Sequence, residues 1–117
     1  MINLLVLKET VDSEKRVALV PDEIKKYLEL GFKVTIEKDA GIGAGFLNDD
    51  YRKQNANISQ NVKNSIKESD IIIKVQKPEL SIIKEMKIGT ILIGLLSPKK
   101  NLLRILSIIK RKFLLLH

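Results

Sequence analysis

Two cations in this sequence are placed where they can do chemistry. Lys74 interrupts the apolar run Ile71-Ile72-Ile73 and Val75, where an ammonium must either reach water along its own stem or hold an anion. If it only reaches for water, replacing it with methionine is nearly neutral or stabilising, because the apolar volume is kept; if it serves a pocket, stability can likewise rise while anion binding is lost. Arg16 precedes Val17-Ala18-Leu19 in a polar stretch. A guanidinium there suits a carboxylate, the plain alternative being a surface arginine without a partner. If Arg16 and Lys74 converge, they frame a cleft for a small carboxylate or carbonyl ligand, and two cations so close require an acid such as Glu9, a backbone carbonyl cluster or a bound anion nearby. The third feature is Gly41-Ile42-Gly43-Ala44-Gly45. A dinucleotide fingerprint needs its third glycine one position later, and a helix starting inside the motif so that its N-terminus meets the pyrophosphate. Here Phe46-Leu47-Asn48 intervenes, with Asn48 the expected helix cap, and no Gly-Lys-Ser/Thr follows to make a P-loop. The glycines read instead as a turn with left-handed positions.

Residue counts remove other chemistries. The 117 residues contain no cysteine, which excludes disulfides, thiolate zinc sites and cysteine nucleophiles. The single histidine is His117, the last residue, so a histidine triad or histidine-rich metal cluster is excluded as well. No carboxylate pair is spaced for acid–base work or a metal. The formal net charge of +7 is uneven: residues 1–60 carry nine basic and ten acidic side chains, residues 61–117 twelve and four. A basic excess can point to nucleic acid or an anionic surface. Seventeen lysines against four arginines, beside seventeen isoleucines, follow A/T-rich codons, and 4% aromatics leave little for base stacking. No nucleic-acid partner is expected.

The elements that must position these residues follow from periodicity. Asn3–Leu7 reads as a strand buried on both faces. Pro21-Asp22-Glu23 opens a helix with proline first and acids against the dipole; Ile24, Tyr27 and Leu28 form its buried face and Gly31 ends it. Strands are expected at 33–37, 70–75 and 90–96, with short helices from Asn48 to about Asn55, around Val62 and Ile66, and at Glu79–Met86 before Gly89. A last helix, capped by Asn101, runs to about Lys112, its basic residues Lys99, Lys100, Arg104, Lys110, Arg111 and Lys112 reading as a solvated face. Alternating strands and helices with short connections give an α/β single domain: a parallel sheet flanked by helices, a flavodoxin-like or Rossmann-like three-layer fold. In such a fold the loops after the strands share one end and hold the ligand. The apolar stretches Thr90–Leu96 and Leu102–Ile109 fall short of the ~20 residues a bilayer span needs, and no leader segment is visible. A cytoplasmic chain with no direct membrane span is expected.

Lys8-Glu9-Thr10 followed by Arg16-Val17-Ala18-Leu19-Val20-Pro21 resembles the opening of the alanine dehydrogenase and pyridine nucleotide transhydrogenase family. Gly41-Ile42-Gly43-Ala44-Gly45-Phe46 with Asn48-Asp49-Asp50-Tyr51 is similar to its second signature, and Asp70–Lys74 with Gln76 and Pro78 to its third. The likeness runs in register over about residues 1–101, within an N-terminal domain taken as 1–117. By that resemblance, Arg16 and Lys74 match residues that hold the substrate carboxylate and carbonyl in alanine dehydrogenases. Those enzymes carry a catalytic histidine just after the fourth strand. This sequence has Leu95-Leu96-Ser97-Pro98-Lys99-Lys100-Asn101 there, and Ser-Pro-x-x-Asn resembles the transhydrogenase alpha subunit instead. The resemblance implies NAD(H) in the complete protein, hydride exchange with NADP(H) coupled to proton movement, membrane and NADP-binding partner subunits, and a homo-oligomer. It also implies a following Rossmann domain that carries the NAD site. Lys112–His117 fit the family's next strand poorly, so a truncated or split copy that binds no cofactor alone is expected.

Overall fold

In the computed structural model, which describes residues 1–94 and 102–116, the strands are β1 (Ile2–Val6), β2 (Phe32–Glu37), β3 (Asn57–Ser59), β4 (Ile71–Lys74) and β5 (Ile91–Gly94). They form one parallel sheet in the order β3-β2-β1-β4-β5. The helices are α1 (Ile24–Glu29), preceded by a 3-10 turn at Pro21–Glu23, then α2 (Asn48–Arg52), α3 (Val62–Glu68), α4 (Leu80–Glu85) and α5 (Leu102–Leu116). Each of the four expected strands is present within two residues of its expected bounds as far as the described residues reach; residues 95 and 96 lie outside them.

Alternation along the strands sorts the side chains into two cores. Ile2, Leu4 and Val6 join Ile71 and Ile73 on one face, under Ile24 and Tyr27 of α1, Tyr51 of α2, and Leu102 and Leu106 of α5. Leu5, Leu7 and Ile72 face the other way, under Ile66 of α3, with Ile82 and Met86 packed alongside. Helices therefore cover both faces. This is why Leu4–Leu7 and Ile71–Ile73 read as unbroken apolar runs: each is buried on two sides.

Three expectations need correction. The sheet has a fifth strand, β3, at the edge beside β2, where Thr35–Glu37 pair with Asn57–Ser59. Asn48 does not cap α2 but is its first residue. Its side-chain carbonyl accepts from the Asp39 N–H (2.8 Å) and its amide donates to Asp39 Oδ1 (2.9 Å), while Asp50 accepts from the Leu47 N–H (2.7 Å) at the helix start. The face of α5 is not wholly solvated either, because Lys110 donates to the Leu30 carbonyl at the end of α1. Arg104 is exposed. Lys99, Lys100 and the Asn101 cap lie outside the described residues, as do the side chains of Arg111 and Lys112. No described helix is long and apolar enough to cross a membrane.

The strand order creates a switch point. From β1 the chain moves towards β2 over one face; from β4 it moves towards β5 over the other. The two loops part, leaving a crevice at the carboxyl ends of these neighbouring strands, where open α/β sheets bind ligands.

Candidate functional site at the switch point

Glu9 and Gln76 meet in this crevice. Lys74, the last residue of β4, is 1% exposed. It shares the face of Ile72, and no water-reaching path explains it. Its ammonium lies 3.3 Å from Glu9 Oε1, and the Glu9 side chain is 3% exposed. Glu9 Oε1 also accepts from the Gln76 N–H (2.9 Å), and Oε2 from the Val75 N–H (2.9 Å). The carboxylate thus binds the β1 loop to the end of β4 with three donors. Of the two readings of Lys74, holding an anion is the one the structure selects, and that anion is internal. A methionine at position 74 is consequently not neutral, since it strands a buried carboxylate.

Arg16 belongs to the same end of the sheet, but not to the same hydrogen-bonding partner. Its guanidinium is forked onto Glu14, with Nη2 donating to Oε1 (2.8 Å) and Nε to Oε2 (2.9 Å), while the Arg16 backbone N–H also donates to Oε2 (3.0 Å). Glu14 Oε1 takes a fourth donor, the Gln76 side-chain amide (2.6 Å). Arg16 hydrogen bonds, reinforced by Gln76 and outweighing burial, hold the Glu14 carboxyl down at about 2. Glu14 in return raises Arg16 above its already high value. Arg16 is a surface arginine, but not one without a partner. Arg16 and Lys74 are connected through Glu14, Gln76 and Glu9, a hydrogen-bonded chain across both loops of the crevice in which Gln76 reaches Glu14 with its side chain and Glu9 with its backbone N–H.

An opening of about 200 Å³ lies over this chain, lined by Lys8, Glu9, Glu14, Lys15 and Arg16 from the β1 loop and by Asp39, Ala40, Ile42 and Gly43 after β2. Arg16 faces it and Lys74 does not; Lys74 stands behind Glu9. The Lys8 N–H donates to Glu37 Oε1 (2.8 Å) at the end of β2. Burial pushes the Glu37 carboxyl up, against the Lys8 N–H and the charges of Lys8 and Lys74. Thr10 donates to Glu79 ahead of α4, tying the β1 loop to a further element.

The glycine loop completes the wall. A Cβ on Gly41 would lie 2.7 Å from Tyr51 Cε2, and one on Gly43 would lie 3.3 Å from the Lys15 carbonyl oxygen. Of the three glycines only Gly45 is left-handed, with φ of 89°, so the reading of the loop as a run of left-handed positions holds at one glycine. The other two glycines admit protein neighbours, Tyr51 and Phe46 at Gly41 and the Lys15 backbone at Gly43. Tyr51, whose hydroxyl donates to the Leu19 carbonyl (2.7 Å), fills the space beside Gly41. Burial raises its phenol well above the ordinary tyrosine value. Among the described residues no group of three or more His, Cys, Asp or Glu side chains could hold a metal.

Glu14 is the site residue the sequence reading missed. Its only sequence signal is an acid two positions before an arginine in a loop, a spacing that acquires meaning once the loop folds back. The loop from Ser97 to Asn101, the fourth expected contributor, lies outside the described residues.

A parallel α/β domain with its polar cluster at the switch point defines a Rossmann-like class of protein. Similarity to known proteins sharpens this. The family described as "Alanine dehydrogenase/PNT, N-terminal domain" matches residues 5–116, and the chain belongs to it. The first portion of NAD(P) transhydrogenase subunit alpha in Rickettsia prowazekii is 38% identical over 102 residues, covering 84% of this chain and 27% of that protein. Alanine dehydrogenase 1 of Staphylococcus aureus strain Mu50 is 41% identical over 91 residues, covering 78% and 24%. The crystal structure of the transhydrogenase from Sinorhizobium meliloti superposes with a TM-score of 0.73 at 30% identity, over 79% of this chain and 27% of that one. An L-alanine dehydrogenase gives 0.67 at 32% identity, over 74% and 24%. The chain spans about a quarter of the length of these relatives.

Proposed function

We propose that this chain is the N-terminal domain of a NAD(P) transhydrogenase alpha subunit and serves hydride transfer between NAD(H) and NADP(H) within a larger assembly. The observation that carries this choice over an alanine dehydrogenase is the sequence from Leu95 to Asn101, which holds no histidine; the sole histidine is His117. An oxidoreductase of the alanine dehydrogenase type would need an imidazole to exchange a proton with its substrate. In this reading the dinucleotide is bound by polypeptide beyond these 117 residues, which is consistent with the glycine loop being filled by Tyr51 and Lys15. The partners are then NADP-binding and membrane subunits, with the domain on the cytoplasmic side.

The opening beside Arg16 supports a second, compatible role: capture of a small carboxylate by the Arg16 guanidinium. Lys74 can serve a ligand carbonyl only by exchanging Glu9 for it, because the ammonium is buried behind that carboxylate. This is also the feature an alanine dehydrogenase-like protein, or a non-enzymatic carboxylate-binding module, would use.

Fluorescence titration separates the readings. NADH added to the 117-residue chain should give no saturable change at micromolar concentration, and binding should emerge when the nucleotide-binding polypeptide is added. Saturable NADH binding by the chain alone would overturn the assignment of the nucleotide site to other polypeptide. Pyruvate turnover to alanine by the reconstituted protein would favour the dehydrogenase.

A further inference from the structure

The fork between Glu14 and Arg16 decides how a carboxylate can be held. A guanidinium offers two faces to a carboxylate in its plane: the side edge, made by Nε and one terminal nitrogen, and the end, made by the two terminal nitrogens. Glu14 occupies the side edge, through Nε at 2.9 Å and Nη2 at 2.8 Å. Nη1 has no hydrogen bond among the described residues, and the Arg16 side chain is 56% exposed beside the opening.

A buried carboxylate on an arginine can be a stand-in for the ligand, displaced on binding, or a fixed support. The donor count distinguishes them. Glu14 is 5% exposed and accepts four hydrogen bonds, two from the Arg16 guanidinium, one from the Arg16 backbone and one from Gln76. Displacing it would leave the Gln76 amide and the Arg16 N–H without their partner, and would return to water a carboxylate whose four donors hold it in place. A support is the reading that leaves every donor paired. Gln76, two residues past β4, in turn donates its own N–H to Glu9, so the support is tied to the chain leaving β4 as well as to the β1 loop.

We infer that Glu14 is a positioning residue: it holds the side edge of Arg16 and turns the terminal nitrogens to the opening, so that the cleft takes a small monocarboxylate end-on. The inference rests on the carboxylate-cleft reading of the preceding subsection. It assigns to Glu14 the orientation of the arginine and to Gln76 the fixing of Glu14, each acting through another side chain.

The test is a titration of the whole chain with pyruvate, and with acetate as the carbonyl-free control, followed by NMR of the arginine side-chain nitrogens. In the parent chain both anions should shift the Arg16 Nη resonances saturably while Nε–H, still held by Glu14, stays in place. Glu14→Gln should raise the pyruvate dissociation constant about tenfold, the size typical when the outer partner of an oriented binding group is lost, and Arg16 Nε–H should exchange faster with solvent. A merely structural role would change stability and leave these resonance patterns alone. Glu14→Asp provides the control for folding: it keeps the charge, shortens the support by one methylene, and should weaken binding in a chain with an unchanged amide spectrum. Unchanged or tighter pyruvate binding by both variants would overturn the positioning role alone. Absence of any saturable Arg16 shift in the parent would overturn the carboxylate cleft, and the positioning role with it.

Discussion

Lys74 and Glu9, 65 residues apart in sequence, form an ion pair of 3.3 Å with side chains 1% and 3% exposed. The pair closes the switch point of the sheet, because Glu9 also accepts the N–H groups of Val75 and Gln76 where β4 ends. Those two N–H groups have run out of strand partners, and the loop after β1 supplies the acceptor. A residue that reads as an oddity within an apolar strand is thus the cation that neutralises the acceptor its own strand end requires.

Lys74→Met should therefore destabilise the chain. Removing one member of a buried pair typically costs 3–5 kcal/mol, and the two backbone donors left on Glu9 reduce this to roughly 2. The double variant Glu9→Gln/Lys74→Met should recover about half of the loss. Urea denaturation measures both, and a Lys74→Met chain as stable as the parent would show that the pair contributes nothing.

Glu14 makes part of the folded loop sensitive to acid. Its carboxyl is held at about 2, against an ordinary value of 4.5, by Arg16 and Gln76. The folded value is depressed, so the unfolded chain binds the proton first, and the stabilisation is complete above about 4.5. It declines as the pH falls from there towards about 2. Carbon-detected NMR of the Glu14 carboxyl should give a midpoint near 2 in the parent, moving up towards 4.5 in Arg16→Met.

Gly41→Ala should cost about 1–3 kcal/mol, since the new methyl meets the Tyr51 ring at 2.7 Å and the ring, fully buried, must shift. Gly43→Ala, with its nearest contact at 3.3 Å, should cost less. Thermal unfolding of the two variants side by side gives the ranking. Were these glycines a phosphate cradle instead, Gly41→Ala would change nucleotide affinity and leave stability nearly unchanged.

Leu106 ties α5 to the sheet. It is fully buried with Leu102 against the face that carries Leu4 and Ile73. Leu106→Ala should lower stability by about 2–5 kcal/mol, whereas Ile105→Ala, at a position 42% exposed, should change it by less than about 1. Loss of helical circular dichroism at lower urea in Leu106→Ala alone would place α5 inside the cooperative unit.

The central strands are written in the sequence, because a strand buried on both faces must be apolar without interruption, and Leu4–Leu7 and Ile71–Ile73 are. Helix ends were legible where backbone geometry demands a particular residue, as at Pro21 and at Gly31, whose φ is 95°. β3 was not legible. Asn57-Ile58-Ser59 joins the sheet at its edge through backbone pairing with Thr35–Glu37, and an edge strand of three residues needs no apolar alternation to be held.

For the site, sequence spacing identified Arg16 and Lys74 as unusual and placed both at one end of a parallel sheet. Glu9, the acid the sequence suggested, is the partner of Lys74, while Glu14 for Arg16 and Gln76 between the two acids emerge only from the folded arrangement. Burial of an apolar run is a property of each segment alone, written in its composition. Which carboxylate neutralises which cation depends on the order of strands in the sheet, and on two loops brought together because β1 and β4, distant in sequence, lie side by side.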